Sequence, residues 1–336
     1  MKKYLLLSFA LFSGVFCFAQ IKVQHLLTEN LPNPLSIDAI TPRFSWQLSA
    51  GDKRGVMQAA YDIKVKDSKS VVWKTGRVMS DQSMYVIYKG AGLKPAQKYY
   101  WQVRVWDNTG KASEWSAPAF FQMGLLTPAD WKAKWITPGF AEDSVNRPSP
   151  IFRKEFAIGK KIKSATAFIT AHGLYEAQIN GHKVGDAFLT PGWTSYNKRL
   201  QYQAYDVTSL LQQGGNAVGA TLGNGWYRGY IGYDPKPGLY GKDIALLFQL
   251  EVTYTDGTTA TIASDESWKS STGPIRFAEI YYGETIDDRL EQKGWAKPKF
   301  NDQSWQAVAV RDFPKDILVA TINENVKQHE KFKPLR

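Results

Sequence analysis

The sequence predicts an all-β protein built as two β-sandwich units in series. Three observations carry this. From Arg43 onward the chain runs as short alternating or β-branched segments broken by turn residues, and no long stretch shows the 3.6-residue period of a helix. Its 336 residues give room for two cores at roughly 100 to 200 residues per domain. With 12 Trp, 17 Tyr and 17 Phe and only 22% charged residues, the composition suits strands, and also suits proteins that stack rings against sugars.

The first twenty residues read as an export signal and are set apart from the fold. Lys2 and Lys3 form the charged start, an apolar stretch runs to Phe16, and Cys17, Phe18 and Ala19 form a small-residue cleavage site before Gln20, so the signal is bounded at 1–19. The protein is then expected in the periplasm or outside the cell. Cys17 is the single cysteine and leaves with the signal, so the mature chain forms no disulfide and depends on core packing. Removing Lys2 and Lys3 lowers the net charge from +11 to +9. The cations are scattered, with no Lys/Arg run of the kind that binds nucleic acid, and no later stretch reaches the roughly 20 apolar residues of a membrane span.

In the first unit, strands are expected at 43–48, 60–66, 71–76, 84–88, 99–106 and 119–123. Around the fifth, Leu93 and a tyrosine pin a corner, Trp101, Val103 and Val105 alternate inward, and Asn108 to Gly110 turn the chain ahead of Ser113-Glu114-Trp115-Ser116. This resembles a fibronectin type III module, an immunoglobulin-like sandwich, over residues 21–124. A Pro/Trp-punctuated linker, 125–150, follows, with 131–136 expected to dock as an edge strand.

The second unit, 151–313, carries expected strands at 152–158, 165–171, 175–179, 201–207, 216–222, 244–254, 259–264 and 275–281. Asn180-Gly181 and Asp256-Gly257 are hairpin turns. One helical turn is expected within 207–213. The pattern is that of a jelly-roll-like β-sandwich, and 314–336 is expected to begin a further domain.

Three stretches of this unit occur in a characteristic order. They are Tyr175 to Asp186 with Pro191-Gly192-Trp193-Thr194-Ser195-Tyr196, then Leu222-Gly223-Asn224-Gly225-Trp226-Tyr227-Arg228-Gly229, then Ala278 to Arg289. Behind a fibronectin-like module they resemble the N-terminal region of bacterial α-L-rhamnosidases, and the resemblance covers nearly the whole mature chain. It implies a non-catalytic sandwich that in some members binds L-rhamnose with calcium at the site. It also implies that the catalytic (α/α) barrel lies C-terminal and is missing here, leaving this chain inactive alone. Carried over, Asn180 and Asn224 stand at two sugar- or metal-facing asparagines. The acidic residue expected beside the first is Ile179 here, which leaves a hard cation wanting six to eight oxygens short of its carboxylate.

A rhamnose site needs amides that bridge adjacent hydroxyls and an aromatic face for the apolar side of the ring. Asn180, Asn224, Gly225 and Trp226 supply those types and the close backbone approach of glycine. Asn180 reads first as a hairpin residue and Trp226 first as core or interface, while Asn224 reads as well as part of a bulge or turn. Arg228 either reaches a carboxylate at a domain contact or is solvated. Glu279, Glu284, Asp287 and Asp288 pose the question of a glycosidase carboxylate pair, against the plainer reading that they bind backbone amides or dock a neighbouring domain. His25, His172, His182 and His329 show no zinc spacing.

Overall fold

The computed structural model describes residues 21–143, 145–232 and 236–335. The expected export signal and Cys17 lie outside them. Two compact units form, one from the residues up to Pro32 with Arg43–Gly90 and Trp101–Ala119, the other from Asn33–Pro42, Ala91–Tyr100 and the chain from Phe120 on.

Unit 1 is built on β1 (Lys22–Thr28), β2 (Arg43–Ser49), β3 (Gln58–Lys66), β4 (Val71–Lys74), β5 (Val78–Met79), β6 (Val86–Ile87) and β7 (Lys98–Asp107), with β8 (Ala119–Gln122) following. β1, β2 and β6 form one sheet and β4, β3, β7 and β8 another, with β5 beside β3. The period of two decides what is buried. Phe44, Ile63, Val65, Trp101, Val103 and Val105 point inward at 1% exposure or less, and the Phe44 and Trp101 rings stand 4.5 Å apart. After β7 the Asp107 carboxylate accepts from the Thr109 and Lys111 amides, at 3.0 and 2.9 Å, and closes the expected turn.

Unit 2 carries β9 (Trp135–Thr137), β10 (Pro150–Ile158), β11 (Ile162–His172), β12 (Leu174–Ile179), β13 (His182–Lys183), β14 (Ala187–Phe188), β15 (Leu200–Asp206) and β16 (Gly214–Gly223). After the short helix α1 (Gly225–Arg228) come β17 (Ala245–Tyr254), β18 (Thr259–Ala263), β19 (Lys269–Thr272), β20 (Ile275–Glu279), β21 (Gly283–Ile286), β22 (Gln306–Ala307), β23 (Ala309–Arg311), β24 (Leu318–Ala320) and β25 (Val326–Lys327). A six-stranded sheet, β13-β12-β16-β10-β19-β22, faces a seven-stranded one, β23-β9-β17-β11-β15-β24 with β18 on β17. Their inner faces meet in a core that includes Phe152, Ile169, Leu222, Phe248 and Trp268. The outer face of the seven-stranded sheet is also covered, by a second cluster with Trp131, Trp135, Phe168, Tyr202 and Leu247. Cover on both sides is why β11 is buried without a break from Ala165 to His172, and β17 from Ala245 to Leu250, with polar Thr166, Thr170, His172 and Gln249 included.

Three expectations need correction. The 131–136 stretch is a strand only at its end, and β9 lies inside the sheet between β17 and β23; the Lys132 and Ala133 amides donate instead to the Gln249 side-chain oxygen, at 2.6 and 3.1 Å. The helical turn expected within 207–213 forms as a single 3-10 turn, Thr208–Leu210, with Asp206 accepting from the Thr208 amide at 3.1 Å, but a further short helix, α1, occurs where none was expected. Residues of the C-terminal stretch pair within unit 2: β24 runs parallel to β15, and β25 pairs with β14. There the Ala320 amide donates to Asp38 at 2.6 Å, and the Tyr202 hydroxyl to the same carboxylate at 3.0 Å.

Candidate functional site

A pocket of about 410 Å³ opens in unit 2 where β12 begins and β16 ends. Antiparallel pairing sets Leu174 opposite Gly223 and Glu176 opposite Thr221. With Tyr175 turned into the core, Glu176 projects from the outer face of the six-stranded sheet. The β20–β21 hairpin forms the other wall, bringing Ile275, Glu279 and Glu284 to the rim. Apolar Leu174, Leu189 and Ile275 thus stand beside carboxylates Glu176, Glu279 and Glu284 and the hydroxyls of Ser149 and Thr221.

Gly225 lines this pocket at a φ of +52°, in the left-handed region, and a Cβ there would meet Leu174 Cγ at 2.6 Å. Asn224, 6% exposed, holds the walls together. Its Nδ2 donates to the Ala278 carbonyl at 3.0 Å, and its Oδ1 accepts from Arg228 Nε at 2.7 Å. Arg228, 2% exposed, uses Nη1 on both oxygens of Glu142, at 3.0 and 2.8 Å, while its buried Nη2 has no partner among the described residues. One line of bonds therefore runs from Glu142 through Arg228 and Asn224 to the β20 backbone. Glu279, 7% exposed, accepts from the Ile280 amide at 3.0 Å, and burial pushes its carboxyl above the usual range.

The remaining candidates lie elsewhere. Asn180, at a φ of +54°, makes the hairpin turn with Gly181; its Nδ2 donates to the Leu210 carbonyl and to Asn216 Oδ1, and its Oδ1 accepts from the Ala217 amide, all within 2.9 Å. It sits at the opposite end of β12 from Asn224, roughly 20 Å away along six residues of extended chain. The two asparagines therefore cannot share a calcium ion, and among the described residues no group of three or more His, Cys, Asp or Glu is arranged to hold a metal. Trp226 does not line the pocket but stacks on Trp193 at 6.2 Å and 14°. Asp287 turns away to Arg289, at 2.8 and 2.7 Å, and that bonding lowers its carboxyl below the usual range. Of the acidic cluster only Glu279 and Glu284 meet at one cavity.

Sequence reasoning missed Glu176, Ser149, Thr221 and Leu189 as pocket residues and Glu142 as the partner of Arg228. Strand alternation signals that Glu176 faces outward, but its place beside Thr221 follows from register. A prediction arises from Asn180: replacing it by alanine strips buried groups of their partners and is expected to destabilise unit 2 by about 1–3 kcal/mol in urea unfolding, without changing any ligand affinity of the pocket.

Residues 160–330 match the family model described as the alpha-L-rhamnosidase N-terminal domain, and residues 23–127 the Rha78A-like N-terminal immunoglobulin domain. An α-L-rhamnosidase of Formosa agariphila is 37% identical over 97% of this chain, which covers 36% of that relative. The crystal structure of native α-L-rhamnosidase from Aspergillus terreus is similar at a TM-score of 0.84 and 40% identity, over 90% of this chain and 35% of that one. That of Streptomyces avermitilis α-L-rhamnosidase complexed with L-rhamnose is similar at a TM-score of 0.86 and 28% identity, over 93% and 47%. The chain thus spans about a third to a half of the length of these relatives.

Proposed function

The chain belongs to the α-L-rhamnosidase N-terminal domain family, and from that premise we propose that it is the exported, non-catalytic part of an α-L-rhamnosidase, whose pocket takes a terminal L-rhamnose unit of a glycan. The observation that carries this is the make-up of the pocket. Carboxylates accept hydrogen bonds from sugar hydroxyls, and Leu174, Leu189 and Ile275 suit the 6-methyl group and C–H face of a deoxy sugar. The Streptomyces avermitilis relative was solved with L-rhamnose, which supports the choice of sugar. Catalysis belongs to a C-terminal barrel in this reading, so an aryl rhamnoside is not turned over by this chain.

Calorimetric titration with L-rhamnose, with and without calcium, tests the proposal. Saturable binding is expected at a dissociation constant of about 1 mM or tighter, independent of calcium. Asn224→Ala is expected to abolish it. Glu176→Ala, an exposed change whose fold is not at risk, is expected to weaken it roughly tenfold. Absence of binding in the wild type, or full binding in Glu176→Ala, refutes the sugar pocket.

One observation favours a second reading, in which the unit serves only to pack against a catalytic domain. Trp193 and Leu239 are 53% and 59% exposed and lie close together, since the Trp193 indole donates to the hydroxyl of Tyr240, the residue after Leu239, at 3.3 Å. Under that reading rhamnose does not bind, and Trp193→Ser raises solubility while the melting temperature falls only slightly, through the lost stack on Trp226.

A further inference from the structure

The outer face of the β3–β7 sheet in unit 1 carries a row of cations separated by indoles. Lys64 Nζ stands 4.0 Å from the centre of the Trp115 ring, and the Arg104 guanidinium 4.8 Å from the same ring. Arg104 also stands 4.9 Å from the Trp106 ring, whose centre lies 4.8 Å from the Arg77 guanidinium. Cation, indole, cation, indole, cation follow one another without a break. Lys66 projects from the same face of β3, two residues from Lys64, and Lys74 of β4 lies directly opposite Lys64 across the strand pair.

These charges are poorly compensated. Arg104 pairs with Asp62 at 3.1 Å, and that carboxylate is 1% exposed. Among the described residues, Lys64, Lys66, Lys74 and Arg77 form no ion pair with a carboxylate. Like charges directly opposite on a strand pair destabilise it. Partial burial and then Lys66, Lys74 and Arg104 hold the Lys64 ammonium below the usual lysine range. A solvated charged face is the ordinary state of a sheet surface, but such faces interleave the two signs; here, among the described residues, Asp62 is the one carboxylate paired with the row, and the cations are fixed against ring faces.

We propose that this ladder is a binding surface for a polyanionic glycan, one whose sugar rings carry carboxylate or sulfate groups. Lys64, Lys66, Lys74 and Arg77 receive the acid groups, while Trp115 and Trp106, each already met by two cations of the row, hold those cations in place. A glycan fits better than a nucleic acid because the relatives of this chain are α-L-rhamnosidases. The surface lies in unit 1, whereas the rhamnose pocket lies in unit 2, so each is tested without the other.

The experiment is calorimetric titration of the full chain with sodium polygalacturonate, with dextran as a neutral control and duplex DNA as the competing polyanion. Polygalacturonate is expected to bind at low salt and dextran not at all. Lys64→Gln with Arg77→Gln is expected to weaken binding roughly tenfold and to flatten the dependence on salt by about 0.7 per cation removed, as for a single-stranded polyanion. Lys74→Gln changes only an exposed side chain and is expected to weaken binding in the same direction with a melting temperature no lower than the wild type's, since it removes a like charge opposite Lys64. Failure to bind polygalacturonate, unchanged affinity in both variants, or tighter binding of duplex DNA than of polygalacturonate overturns the proposal.

Discussion

Replacing Arg228 by methionine is expected to destabilise unit 2 by about 3–5 kcal/mol, the range for removing one partner of a buried ion pair, and to abolish ligand binding at the pocket. The guanidinium is 2% exposed and joins Glu142 to the Asn224 amide, which in turn holds the β20 carbonyl. Methionine fills much of the space but leaves the Glu142 carboxylate and Asn224 Oδ1 without their donors. Urea unfolding measures the loss. Adding Glu142→Gln is expected to recover part of it, because the uncompensated charge is then gone; the double-mutant cycle isolates that contribution. A loss of less than roughly 1 kcal/mol, the scale of an exposed pair, would show that Arg228 is solvated and the line of bonds unimportant.

The second large effect is on pH. His172 lies between Trp135 and Tyr227, with ring centres 4.4 Å away on either side, and burial pushes its pKa from 6.5 down to about 4. The folded protein therefore holds the neutral imidazole over a range in which the unfolded chain takes up a proton. The sign follows: stability is complete above pH 6.5 and falls as the pH drops toward about 4. At about 1.4 kcal/mol per pKa unit the total is roughly 3 kcal/mol. His172→Phe keeps an aromatic ring in the stack and removes the titration, so its melting temperature is expected to lose this step between those pH values. A variant whose melting curve tracks the wild type through the window would refute the assignment.

What the sequence made legible was local. The alternation of Trp101, Val103 and Val105, the turn at Asn108 to Gly110 and the Asn180-Gly181 hairpin all depend on neighbours in the chain, and each stands where the residues indicate. Short strands such as β13, β14, β22 and β25, only two residues each, carry no periodicity to detect. The pocket was half visible. Asn224 and Gly225 announce a close approach of backbone, and Glu279 and Glu284 lie on a hairpin that returns to it. Glu142 and Ser149 come from the linker, and nothing near them in sequence marks the partners they meet 86 residues away in the case of Glu142 and Arg228. Asn180 shows the reverse limit: a residue type suited to a sugar is spent on the turn, as its three hydrogen bonds demonstrate.

The bond from the Ala320 amide to Asp38 joins residues 282 positions apart, and it has a consequence for how the chain acquires its structure. Loop closure over such a span is slow but only modestly more costly than over a short one, because its entropy grows with the logarithm of length. The Asp38 carboxylate, partly buried and raised above its usual pKa by that burial, therefore waits for β24, which follows it in the chain by 282 positions. Unit 2 is completed by segments that lie before and after most of unit 1 in the sequence. A nascent chain stalled before Leu318 has the Tyr202 hydroxyl but not the Ala320 amide on Asp38, and such a chain is expected to be the more protease-sensitive species during synthesis.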